Sequence, residues 1–173
     1  MLAGLSHRTD DMAKSFDLAT SPSHLLRRAN QFANDLYTNE ADGSTLTQRQ
    51  FAVLFAIDKR EGASQTELVQ ATGIDRSTLA DMIVRMQSKE LLARKRTDAD
   101  QRANAVRLTP AGRRALRGAM PAMLRAEAGI LNVLPQRLKA EFIKALTMIA
   151  QAATDAQIAA EEAKAKAKAK KKR

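Results

Sequence analysis

Hydrophobic and polar positions recur along most of this chain with a helical period. Between Ser23 and about Tyr37, the residues Leu25, Ala29, Phe32 and Leu36 fall three or four apart, which predicts a helix with one apolar face. Ser21-Pro22-Ser23 marks its start, because the fixed φ of proline suits a first helical turn. Asp42-Gly43-Ser44 then reads as a loop. A second helix, about Thr47 to Arg60, is almost wholly apolar between Phe51 and Ile57, as expected of a buried central helix, and Gly62 closes it.

The densest set of local signals follows. Ser64-Gln65-Thr66-Glu67 fits a capping box, in which Ser and Glu side chains satisfy each other's orphan amides. A short helix to about Thr72 is predicted, then a turn at Gly73, an inward Ile74, and Asp75 as the cap of a helix from Arg76 to about Lys89. Leu79, Met82, Ile83 and Met86 form the inward stripe of that helix and leave Arg76, Ser77, Ala80, Asp81, Val84 and Arg85 facing out. Two brief extended runs, Ala93 to Arg96 and Ala105 to Leu108, flank a turn-rich stretch and predict a two-stranded hairpin. Thr109-Pro110 starts another helix, which Pro121 is expected to kink or split. A last helix begins near Pro135, carries Leu138, Phe142, Ile143, Leu146 and Ile149 as its stripe, and is expected to end near Ala160. The fold class is therefore mainly α: helix-turn-helix, a β wing, and helices on either side.

Composition narrows the chemistry. With no cysteine and only His7 and His24, the chain offers neither a disulfide framework nor a Cys/His zinc site, and no metal or cofactor is expected. No nucleophile or carboxylate constellation with catalytic spacing stands out, so an enzyme is not expected. No apolar run approaches membrane-spanning length, and Asp10-Asp11 interrupt any leader-like stretch, so a cytoplasmic protein without membrane contact is expected.

The formal charge of +10 is unevenly spread. Residues 75–117 hold 11 basic and 5 acidic side chains, residues 163–173 hold seven basic and none acidic, and the remainder is net negative. A basic field centred on a helix-turn-helix suits phosphate neutralisation; the plainer alternative is a solvated basic face.

The element order resembles that of the multiple-antibiotic-resistance regulator (MarR) family over about residues 22–153. Asp100-Gln101-Arg102, then Val106-Arg107-Leu108-Thr109 and Gly112, is similar to the family's wing signature. Leu46-Thr47 with Gln50-Phe51 and Val53-Leu54 is similar to the opening of its central helix, and Arg76-Ser77-Thr78-Leu79 to the start of its recognition helix. The chain departs from many relatives in carrying Ala80-Asp81 where a basic residue is common. The resemblance implies a DNA-binding transcription regulator, of the repressor kind, acting as a homodimer on a pseudo-palindromic double-stranded DNA site. It also implies release by a small-molecule effector, an aromatic carboxylate or an acyl-CoA thioester. The chain then divides into a flexible N-terminal segment (1–21), a dimerisation helix and loop (22–45), the winged helix-turn-helix (46–109), dimerisation helices (110–160) and a disordered Lys/Ala-rich tail (161–173).

Arg76, Ser77 and Thr78 are the candidates for base edges in a major groove; for the two hydroxyl residues, helix capping is the alternative. Asp81 could accept from a cytosine amino group or orient Arg85, itself a candidate for phosphate. Arg102 at the wing tip suits a minor groove with Asp100 holding its guanidinium, unless the two form only a surface ion pair. Arg94 and Arg96 read as phosphate contacts or as charges that protect a strand edge. For the effector, His24, Arg27, Arg28 and Arg49 are candidate anion partners and Phe51, Phe55 and Met120 candidate apolar walls, although such residues also serve local pairing or the core. The tail, helical or not, would add sequence-independent DNA affinity or merely solubility. A linker-histone-like architectural protein that coats DNA without preference is the rival reading.

Overall fold

The computed structural model describes residues 16–41, 43, 46–94 and 106–170. A 3-10 turn, Leu18–Thr20, leads into α1 (Pro22–Glu40). Helices α2 (Gln48–Lys59), α3 (Gln65–Thr72) and α4 (Arg76–Ser88) follow, then strands β1 (Leu92–Arg94) and β2 (Val106–Leu108), and finally α5 (Pro110–Asn132) and α6 (Gln136–Lys170). Mainly helical architecture with a two-stranded antiparallel wing is what the periodicity predicts, and the helix starts agree closely.

Caps explain that agreement. Pro22 opens α1. Thr47 and Gln50 form a capping box at the head of α2, and Ser64 with Glu67 repeats it at α3. The core lies between them: Val53, Leu54 and Ile57 of α2, Leu68 of α3, Leu79 and Met86 of α4, with Leu92 and Leu108 of the wing and Leu116 of α5 closing it. This mixed set of large and small apolar side chains supplies most of the driving force for folding the domain. Helix α1 packs along α5, and Gly129 lets Leu36 approach, since a Cβ there would lie 3.2 Å from its methyl. One turn away, Arg125 clasps the C-terminus of α1, bonding both carboxylate and carbonyl of Glu40.

Two expectations are corrected. Pro121 does not split its helix, because α5 runs unbroken from Pro110 to Asn132. Pro121 sits on the exposed side, where water can solvate the carbonyl its missing N–H leaves unbonded. Its neighbours Ala119, Ala122, Met123 and Ala126 stay buried and keep the helix continuous through it. Of the tail expected to be disordered, residues 161–170 are instead helical: α6 continues past Ala160 to Lys170, as the strong helix propensity of Ala and Lys allows.

Candidate nucleic-acid interface

The turn between α3 and α4 is built from three residues with separate tasks. Gly73 takes the left-handed conformation (φ 66°) that ends α3. Ile74 is buried and anchors the turn. Asp75 caps α4, accepting from the Thr78 amide at 3.0 Å and the Ser77 hydroxyl at 2.7 Å. Hydrogen bonds from Thr78 first, and then from Ser77, hold the Asp75 carboxyl far below the usual carboxylate range. The backbone amide of Ser64, followed by its hydroxyl, lowers Glu67 in the same way, with Arg60 adding an ion pair at 2.6 Å.

Helix α4 buries Leu79, Met82 and Met86 and exposes Arg76, Ser77, Asp81, Val84 and Arg85. Arg76 reaches back to α3, its Nη2 donating to Thr66 Oγ1 at 2.8 Å, while Gln65 Nε2 donates to the Arg76 carbonyl. Arg85 Nε is held by the backbone carbonyl of Asp81, not by its carboxylate. Ser77 and Thr78 are engaged with the cap, Thr78 half-buried through its amide and Ser77 exposed through its hydroxyl. Gln65 and Thr66 were not singled out in the sequence; the capping box placed them on α3 but nothing local showed that they would meet Arg76.

Past α4 the chain turns at Glu90, whose φ of 56° takes the position usually given to glycine. The amides of Glu90 and Leu91 close onto Gln87 and Met86, finishing the helix. The wing pairs Leu92 with Leu108, Ala93 with Arg107 and Arg94 with Val106. Arg94 and Arg107 are exposed; Arg107, expected only as part of the wing signature and not as a DNA contact, follows the alternation of its strand. Arg96, Asp100 and Arg102 lie outside the described residues. Thr109 locks the base of the wing, its hydroxyl donating to Glu90 O at 2.5 Å and accepting from Gly112 N at 3.0 Å. Gly112 is obligatory in this arrangement, because a Cβ would lie 2.1 Å from the Leu91 carbonyl oxygen.

Behind this surface, a cleft of about 760 Å³ separates α1, α2 and α5 from the α3–α4 turn. Of the seven residues proposed for an effector, Arg49, Phe51 and Phe55 line it, joined by Ile74, Asp75, Met123 and Glu127. Phe51 and Phe55 stack with centroids 5.9 Å apart, and the Lys59 ammonium lies 5.3 Å from the Phe55 ring centre. His24, Arg27, Arg28 and Met120 are not among the lining residues. His24 and Arg27 contact each other on α1, Arg28 is exposed, and Met120 packs against the core one turn before Met123.

With this geometry in view, comparison with known proteins decides the family. The sequence pattern of the MarR family matches residues 44–103. The chain is 31% identical over 106 residues to the HTH-type transcriptional repressor NicR of Pseudomonas putida, a match spanning 61% of this chain and 67% of NicR. The chain belongs to the MarR family. It is accordingly a DNA-binding transcription regulator and not an enzyme. Among solved structures, Bordetella bronchiseptica BpsR, whose DNA binding is regulated by 6-hydroxynicotinic acid, superposes with a TM-score of 0.71 at 29% identity, covering 78% of this chain and 96% of that one. The transcriptional repressor CouR bound to a 23-mer DNA duplex gives a TM-score of 0.68 at 27% identity, covering 77% and 94%; CouR has also been solved with p-coumaroyl-CoA. Among the described residues, no helix is long and apolar enough to cross a membrane.

Proposed function

We propose that this MarR family member is a repressor that binds a pseudo-palindromic operator as a homodimer and releases it when an aromatic carboxylate, or its acyl-CoA thioester, occupies the cleft. The observation that carries this reading is the double duty of one turn. Gly73, Ile74 and Asp75 line the cleft, and Asp75 caps the helix whose first residues face outward. A ligand that moves the turn therefore moves the end of α4 that would enter a major groove.

In this reading Arg76, Ser77 and Thr78 meet base edges, with Gln65 and Thr66 supporting Arg76 from α3. Asp81, exposed with its carboxylate unused by Arg85, is placed to accept from a cytosine amino group. Arg85, Arg94 and Arg96 neutralise phosphates, and Arg102, steadied by Asp100, enters the minor groove. In the cleft, Arg49 pairs with the ligand's carboxylate and the Phe51–Phe55 pair covers its ring. The relatives NicR, BpsR and CouR support the repressor role and both effector classes.

The homodimer is supported by apolar surface that the chain does not cover by itself. Leu25, Leu26 and Phe32 on α1, Leu124 on α5, and Leu138, Ile143 and Ile149 on α6 are all exposed. Among the described residues, helix α6 packs extensively against no other element. A two-fold partner would bury this surface and set two α4 helices at successive turns of one face of a duplex.

Competition binding at fixed salt tests the proposal. The chain should prefer an operator selected from a random duplex library over bulk duplex by at least about 10³-fold. Equal affinity for both would establish the architectural alternative. Aromatic acids such as 6-hydroxynicotinic acid should raise the melting temperature of the wild-type protein, and Arg49→Ala should abolish that rise.

A further inference from the structure

We infer that the Lys/Ala end of α6 is a second DNA-contacting element, one that lies on the phosphates flanking the half-site read by α4. The inference rests on the DNA-binding reading above and assigns a task to a segment which that reading leaves unused.

Two observations carry it. The first is placement. Although α6 does not pack firmly on the reader, Gln157, Ile158 and Ala160 border a cleft of about 280 Å³ together with Val69, Asp75 and Arg76. That corner is the one at which α4 would enter the groove, so the phosphates bounding the groove lie close to it. The helix then continues through Lys170. At about 1.5 Å per residue, the twelve residues beyond Ile158 reach roughly 18 Å, about half a turn of duplex.

The second is charge. Residues 163–173 carry seven basic side chains and none acidic. Strict alternation from Lys164 to Lys170 sets like charges four residues apart along the helix, an arrangement that costs stability in water and is relieved beside phosphate. Alternation also distributes the lysine positions around the helix axis, so the element grips a backbone without reading bases. Four neutralised phosphates per protomer, one for each lysine between Lys164 and Lys170, would add up to about 4 to the slope of log affinity against log salt. A merely solubilising extension would add nothing.

The test compares the full chain, a chain ending at Glu162, and Ile158→Asp, which keeps all seven charges but sets a carboxylate in the cleft beside Asp75. Each is titrated, at several salt concentrations, with an operator selected by the full chain from a random duplex library. The operator is presented bare and with ten base pairs of arbitrary sequence on each side. Flanks should tighten the full chain by about tenfold and the truncated chain by less than about twofold, with a shallower salt slope for the latter. Ile158→Asp should retain no more than about a threefold gain. Identical salt slopes for full and truncated chains would overturn the inference, as would a full flank effect in Ile158→Asp. Tighter binding by the truncated chain would also overturn it, because α6 would then shield the reader. If the bare operator is bound without any flank effect, only this inference fails; if no duplex is bound at all, the DNA-binding reading falls with it.

Discussion

Helices α4 and α6 are both amphipathic in sequence, yet they end in opposite situations. The apolar stripe of α4, Leu79, Met82 and Met86, is buried by its own chain, and the helix displays charge. The stripe of α6 is only partly covered: Phe142 and Leu146 are half-buried, and Leu138, Ile143 and Ile149 are left facing outward. An apolar face states that something must be buried without stating where the partner comes from. The reader is closed by residues of its own chain, from Val53 to Leu116; in the proposed dimer, α6 is completed from outside the chain.

That contrast can be broken at several points. The largest effect is expected at Gly112, where alanine would drive a Cβ into the Leu91 carbonyl. Gly112→Ala should cost about 3 kcal/mol or more in denaturant unfolding, and near-native stability would mean that the corner below the wing yields. Next comes α6: Ile143→Asp should weaken self-association by about 2–3 kcal/mol, roughly a hundredfold, by analytical ultracentrifugation. Val84→Asp on the equally open face of α4 should leave association unchanged, and loss of the dimer in both would erase the distinction. Arg76→Ala should weaken operator binding by about 1–3 kcal/mol with the fold intact by circular dichroism. Asp75→Ala should lower the melting temperature at neutral pH and flatten its acid dependence. The folded Asp75 titrates below its unfolded counterpart, so its contribution is present above about pH 4 and fades as pH falls further. Smallest, Glu90→Gly should stabilise by about 0.5 kcal/mol by removing a left-handed side-chain residue from the end of α4.

The reader was legible because its instructions are local. Ser64 with Glu67, Gly73, and Asp75 each specify backbone geometry within four residues, and the structure uses all of them. Pro121 misled because its local penalty is outweighed by burial against distant α1, which no window of sequence displays. The cleft was half legible for the same reason. Arg49, Phe51 and Phe55 share a helix and could be read together, whereas Met123, Glu127 and the α3–α4 turn reach the cleft only through tertiary packing. His24, Arg27 and Arg28 were placed by their helix alone, with no local sign of which way α1 would be turned.

The hydroxyl of Thr109 ties the end of α4, through Glu90, to the first turn of α5. With Gly112 lying directly under Leu91, there is no slack between those segments. The hairpin and the helix before it must then tilt with α5 like a blade fixed to its handle. In the proposed dimer, any adjustment in how two subunits grip each other would reach the duplex as a change in the angle of that blade.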